Sequence, residues 1–124
     1  MEKTKVVSQG HRVDMPELLS RVDNDRELLR DLVMIFKEDF PRHMEALRKA
    51  VAGPDLKAAK MVGHTLKGML SNLAVTRASA LAGHLEQLAG GAGSDALPDA
   101  LAEFEREVDG LLPEMEAHAE EVKP

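Results

Sequence analysis

Four segments of this chain repeat apolar residues at intervals of three and four, the spacing that places side chains on one face of an α-helix. Turn-forming residues separate the segments, most clearly in AGPD at 52–55 and GGAGSD at 90–95. No stretch shows the strict alternation that is typical of a strand. Because the connections are short, the sequence predicts an all-α fold, an antiparallel up-down-up-down four-helix bundle.

Capping residues predict where the first helices begin. DMPELLSRV reads as a short extra N-terminal helix, with Asp14 as N-cap and Pro16 in the first turn. Asn24, followed three residues later by Glu27, is the predicted N-cap of the first long helix. Pro41 lies inside that helix and should kink it or break it in two.

The last helix has less regular signals at both ends. Ser94 or Asp95 is expected to cap its beginning. Gly110 and Pro113 are expected to distort it late, because neither residue fits well in a helix interior. The apolar stripe nevertheless continues past both residues, so we predict one distorted helix.

Composition narrows the class of protein. Only 2% of the 124 residues are aromatic, which favours an aliphatic core. The absence of cysteine excludes disulfides, and the net charge of -6 argues against nucleic acid as a partner. No apolar run reaches membrane-spanning length and no hydrophobic signal core is visible. We therefore expect a cytoplasmic monomer away from membranes, with a flexible arm at 1–11 and one helical domain over 12–122.

The stretch MVGHTLKGMLSNL, residues 61–73, places a histidine on the polar side of the second long helix. At about 100° per residue, His64 falls roughly 160° from the centre of the apolar arc. It should therefore point away from the core. The residues that project within about 60° of it are mostly polar or small: Lys57, Lys60, Lys67, Gly68 and Ser71.

The neighbours of His64 suggest what its ring could carry. Nearby lysines disfavour the protonated imidazole and leave a nitrogen lone pair available. A phosphoryl group on that nitrogen would find Lys67, one turn along, beside its equatorial oxygens. Gly68 costs about 1 kcal/mol relative to alanine in a helix, which fits a need for close approach by a large partner. A solvated basic stripe is the plainer alternative for the lysines.

HTLKG at 64–68, NL at 72–73 and LEQLA from Leu85 carry a family resemblance. With the preceding helices, they make the chain similar to histidine-containing phosphotransfer (HPt) domains of bacterial phosphorelays, from about Asp14 to about Leu112. The sequence departs from that family's usual pattern at three places. Ala74 stands where glycine is usual, Gly63 where alanine is common, and Met69–Leu70 replace small residues.

The resemblance implies a four-helix bundle and a division of labour with a partner. His64 would accept the phosphoryl group, Lys67 would be its electrostatic partner, and Gly68 would be the gap through which a receiver domain reaches the ring. Response-regulator receiver domains would be the partners, and a hybrid sensor histidine kinase is a further candidate. The receiver would supply an aspartate and Mg²⁺, so the chain would need no cofactor of its own.

Docking would use the surface around the histidine. Met61 is the large apolar residue on the polar side of this helix, and Lys57, Lys60 and Ser71 complete the predicted docking surface. No glycine-rich phosphate loop follows a strand, so we predict a phosphocarrier and not an ATP-dependent kinase.

Two other interpretations remain open from the residues. A helical bundle of this kind could be an adaptor that binds a partner without phosphate. His64 and His84 could also join in a metal site, but the inward Glu-x-x-His pairs of metal-binding bundles are missing, so none is predicted. His11 and His118 are expected to be solvated, and the environment of His43 depends on the course of the helix around Pro41.

Overall fold

The computed structural model describes residues 12–91 and 93–121, and within these ranges every regular element is helical. The predicted all-α class is confirmed, while the predicted arm at 1–11 and the side chain of His118 lie outside the described part of the chain. The helices are α1 Met15–Arg21, α2 Arg26–Ala52, α3 Leu56–Asn72, α4 Thr76–Gly90, α5 Leu97–Val108 and α6 Leu111–Glu121, with a short 3-10 turn at Ser94–Ala96.

The long helices pack as the predicted four-helix bundle. Helix α3 lies between α2 and α4, α4 also packs against α5, and α2 closes the bundle against α5 and α6. The extra helix α1 is joined to the turn between α3 and α4, where the Asp14 main-chain N–H donates to the Ala74 carbonyl at 2.9 Å. None of the described helices is both long and apolar enough to cross a lipid bilayer.

The core is aliphatic with a few phenylalanines, as the composition indicates. Phe36 and Phe40 stack on α2 with ring centroids 4.6 Å apart, and Phe104 on α5 is fully buried. Leucines from every side of the bundle surround these rings: Leu18, Leu29, Leu47, Leu66, Leu70, Leu85, Leu97 and Leu111. Each helix therefore turns its apolar stripe inward, and its polar face remains available for other contacts.

The caps agree with the sequence at α1 and differ at α2. The Asp14 carboxylate accepts from the Glu17 N–H at 3.1 Å, as predicted. The prediction for Asn24 is wrong, because the carboxylate of Asp25 accepts from the Leu28 N–H at 3.0 Å. Asn24 has a φ of 58°, a left-handed conformation that ends the preceding turn, whereas an N-cap needs extended backbone.

Pro41 does not break α2, which continues from Arg26 to Ala52. The ring is exposed, so the carbonyl that loses its helical hydrogen bond faces solvent and water can satisfy it. Of the two predicted outcomes, the break is therefore wrong.

The last predicted helix is two helices. Gly110 adopts a φ of +85° between α5 and α6, which ends α5 and redirects the chain. Pro113 falls in the first turn of α6, where a missing N–H costs little.

The predicted cap of the last helix is also wrong. Ser94 and Asp95 form the 3-10 turn, and α5 begins after Ala96 with no side-chain cap. Pro98 in the first turn of α5 offsets part of this loss, because its ring has no N–H to satisfy.

Gly110→Ala should destabilise the protein by about 1 kcal/mol, because the left-handed conformation is less favourable for alanine than for glycine. A Cβ at this position has room, with Arg12 Nη1 the nearest atom at 3.9 Å, so the cost is conformational and not steric. Urea unfolding measures it. Gly68→Ala is the matched control: its Cβ would meet nothing within 4 Å, and the free energy of unfolding should rise by up to about 1 kcal/mol. Equal effects of the two variants would contradict the assigned turn.

Candidate functional site

Helix α3 turns His64 to the outside of the bundle. The Asp55 carboxylate caps the helix by accepting from the Ala58 N–H at 3.0 Å, which fixes where its first turn begins. From there one face is buried: Ala59, Gly63, Leu66 and Leu70. The side chain of His64 is 69% exposed, so the predicted outward orientation is confirmed.

Glu86 on α4 joins the two central residues of the site. Its Oε2 lies 3.0 Å from His64 Nδ1, and its Oε1 lies 3.0 Å from Lys67 Nζ. The Glu86 side chain is only 20% exposed, against 42% for Lys67. One half-buried carboxylate therefore holds an imidazole with one oxygen and an ammonium group with the other.

The charge on Glu86 determines which ring nitrogen is free. The hydrogen bond from Lys67 is the main reason that the pKa of Glu86 lies below its ordinary value, and the bond to His64 adds to it against the opposing effect of burial. The carboxylate is therefore ionised at neutral pH and can only accept. In the neutral ring Nδ1 then carries the proton, and Nε2 keeps an unprotonated lone pair that faces outward.

Gly63 brings α4 close enough for this contact. A Cβ at Gly63 would lie 3.3 Å from the Glu86 main-chain nitrogen and 3.4 Å from the Ala82 carbonyl oxygen, so the backbones of α3 and α4 nearly touch here. His64 is the next residue along α3. The buried glycine thus leaves room for the close approach at which the His64 ring meets the Glu86 side chain. A larger residue at position 63, where alanine is common in the family, would press on the backbone of α4.

Gly68 has no such role inside the molecule. It is exposed on α3 one turn beyond His64, and a Cβ there would meet no atom within 4 Å. Packing within the described residues therefore gives no reason for a glycine at this position. The open space over it adjoins the His64 ring.

A hydroxyl pair ties the backbone of Lys67 to α4. The buried Ser79 donates to the Lys67 main-chain carbonyl at 3.1 Å, and the hydroxyls of Ser71 and Ser79 are hydrogen-bonded to each other. Ser71 is thus on the predicted side of α3, but its hydroxyl is engaged by α4.

The other residues of the predicted docking surface are exposed around the site. Met61 is 63% exposed, and Lys57 and Lys60 are exposed on the same helix. Lys60 extends toward Gly90 at the end of α4, whereas Lys67 is the lysine that reaches the Glu86 carboxylate. The charged groups that the sequence predicts around His64 are all lysines, and the structure adds a carboxylate in direct contact.

The two other histidines whose side chains the structure describes are not partners of Glu86. His84 is exposed on α4 and lines a groove with Lys60 and Lys67, and His43 on α2 is half-buried. Among the residues that the structure describes, no group of three or more histidine or acidic side chains could hold a metal ion.

Glu86 is the residue that sequence reasoning missed. It lies 22 positions after His64 in LEQLA, a stretch that carries the family resemblance but in which no pattern assigns a role to the glutamate. The pairing depends on how α3 and α4 are aligned, and apolar periodicity does not determine that alignment. The usable signal was Gly63, a small residue on the buried face that marks a close helix contact.

Glu86→Ala should change the proton position on His64. When the His64 ring is neutral, the wild-type protein should carry its ring proton on Nδ1 beside Glu86, and in the variant the proton should shift toward Nε2, which heteronuclear NMR of the ring nitrogens detects. The pKa of Glu86 is lower in the folded protein than in the unfolded chain. Its contribution to the free energy of unfolding is therefore present above the ordinary carboxyl pKa of about 4.3, and it is lost as the pH falls through the lower pKa of the folded state. Glu103→Ala, at an exposed position on α5, is the control and should leave the ring unchanged.

Fold and site together define a helical bundle that presents a fixed, exposed imidazole beside an ammonium group. The Hpt domain family model matches residues 31–120, well over half of the chain, and the protein belongs to that family. Proteins of this family carry phosphoryl groups on histidine in phosphorelays and interact with receiver domains or kinases. No curated protein and no solved structure matched the chain.

Proposed function

We propose that this protein is a phosphocarrier that accepts a phosphoryl group on His64 from a receiver-domain aspartate and passes it to another receiver. The observation that carries the proposal is the exposed His64 ring held at Nδ1 by Glu86, because the neutral form of this ring then presents the lone pair of Nε2 to a partner. A nucleophile of this kind needs no further base in the chain.

The transfer step is a simple exchange of bonds. The Nε2 lone pair attacks the phosphorus of the aspartyl phosphate, a P–N bond forms as the P–O bond breaks, and the electron pair of that bond leaves with the receiver's carboxylate. The proton on Nδ1 stays where it is, bonded to Glu86, and the ring becomes an imidazolium. Loss of the phosphoryl group to a second receiver is the same step in reverse, so transfer is reversible.

Lys67 compensates the negative charge that arrives. Its ammonium group is held 3.0 Å from Glu86 Oε1, one helical turn from His64, where it offsets both the carboxylate and the incoming phosphoryl oxygens. Mg²⁺ would be supplied by the receiver, whose aspartate leaves the reaction as a carboxylate. The role of Lys67 in this chain is therefore electrostatic.

Gly68 and the exposed residues around it would form the docking surface. The empty space over Gly68 lets a receiver approach the ring closely, and Met61 offers an apolar contact beside Lys57 and Lys60. Ser71 would lie at the edge of this docking surface.

A transfer assay tests the proposal. Receiver domains charged by a radiolabelled small phosphodonor are purified and mixed with the protein, and the label is followed over time. We expect acid-labile, base-stable label on the protein, located on the peptide that contains His64 and bonded to Nε2. Absence of label with a broad set of receivers, together with stable binding to one of them, would instead favour the adaptor interpretation.

A further inference from the structure

Two lysines of α3 lie across two glycines of α4. A Cβ at Gly83 would lie 3.1 Å from Lys67 Cδ, and a Cβ at Gly90 would lie 3.3 Å from both Cδ and Cε of Lys60. The lysines are seven residues apart, and so are the glycines. The same contact therefore repeats after two turns along the boundary between the helices.

The path of Lys67 over Gly83 leads to the site. The lysine begins on α3, its stem passes over Gly83, and its Nζ ends 3.0 Å from Glu86 Oε1. Glu86 is one turn beyond Gly83 on α4, and its other oxygen contacts His64. A side chain at position 83 would occupy the space through which the lysine stem runs.

Other reasons for a glycine at position 83 are not met. Its φ is not in the left-handed region, which among the described glycines is adopted by Gly110. The approach of the two backbones does not need it either, in contrast to Gly63, because outside its own helix the one described atom within 4 Å of a Cβ at Gly83 is Lys67 Cδ. Within the described residues, the missing side chain at 83 benefits Lys67.

We propose that Gly83 is a positioning residue for phosphotransfer: it leaves open the path that places the Lys67 ammonium group on Glu86 beside His64. This inference rests on the proposed function for its kinetic consequence, but the positioning itself is a property of the unphosphorylated protein. Gly83 touches neither His64 nor the incoming group, so it acts through Lys67.

Gly83→Leu tests the inference in a double-mutant cycle with Lys67→Ala. At saturating charged receiver, each single variant should slow transfer by about tenfold, and the double variant should be no slower than Lys67→Ala alone. The concentration of receiver at half-saturation should change little. Gly90→Leu is the matched control: it displaces Lys60 in the same way, two turns from Gly83, and should keep the transfer rate at saturation within about twofold of wild type.

The thermal stability of Gly83→Leu distinguishes a displaced Lys67 side chain from a damaged fold. Leucine is a better helix former than glycine, and the Cβ it adds would meet the stem of a flexible side chain and not the backbone of α3, so Gly83→Leu should melt at or above the wild-type temperature. Slower transfer in a protein of equal or greater stability is the expected signature. A variant that melts well below wild type would place Gly83 in the packing of α3 on α4 and would overturn the inference.

A second readout does not depend on phosphotransfer. The pKa of the Glu86 carboxyl, followed by NMR of the unphosphorylated protein, should rise toward its ordinary value in Gly83→Leu, as it should in Lys67→Ala, and stay low in Gly90→Leu. An unchanged Glu86 pKa in Gly83→Leu would refute the positioning role whatever the transfer assay shows. If wild type takes up no phosphate while Glu86 responds as expected, the proposed function fails and the positioning of Lys67 by Gly83 stands.

Discussion

His64→Gln should take up no label from a phosphorylated receiver under conditions in which the wild-type protein is readily labelled. Glutamine keeps polar atoms near Glu86 but has no lone-pair nitrogen that can attack phosphorus. Because the histidine side chain is 69% exposed and Glu86 keeps Lys67 as a partner, the free energy of unfolding should change by no more than about 0.5 kcal/mol. Label transfer and urea unfolding of the same preparation measure both effects.

His84→Gln is the control for this variant. It removes another exposed imidazole from the adjacent helix, on the groove that Lys60 and Lys67 also line, and it should be labelled at the wild-type rate. Label that persists on His64→Gln would show that the acceptor lies elsewhere. Loss of label from His84→Gln would show that the reaction takes place at the groove that His84 lines.

The orientation of His64 could be predicted because a single helix determines it. Once residues around His64 are assigned to a helix, the angular position of each side chain follows from its number alone. Asp14 could likewise be identified as a cap, since the capping carboxylate and its N–H lie three residues apart. These are local relations, and a linear sequence contains them.

The partner of His64 could not be predicted by the same means. The contact with Glu86 depends on the distance between two helices and on their alignment along each other, and the two backbones come close at Gly63, the residue before His64. Charge patterning gave only the lysines on the same helix as neighbours. The carboxylate that orients the ring comes from a different helix, where periodicity marks it as one polar residue among several.

The turns were the other place where the sequence was insufficient. Asn24 and Gly110 both adopt left-handed backbone, and in each case this conformation decides where a helix begins or ends. The side chain of Asn24 suits an N-cap equally well, so residue type alone could not separate the two roles. Ala74 shows the same limit: it takes a φ of 59° where the family usually has glycine, so the turn survives the change at a conformational cost.

Phe104→Ala should produce the largest loss of stability among single substitutions that leave the site intact. The ring is fully buried on α5, where the apolar stripe predicts a core residue. Truncating a buried phenylalanine typically costs 3–5 kcal/mol, so the free energy of unfolding should fall by about 4 kcal/mol and the melting temperature by roughly 15 °C. Met34→Ala, at a position 59% exposed on α2, should change stability by less than about 0.5 kcal/mol.

Below its melting temperature, Phe104→Ala should still accept phosphate, because α3 and α4 carry the reacting side chains. Urea and thermal unfolding measure the difference, and a loss below about 1 kcal/mol would mean that α5 does not close the core with this ring.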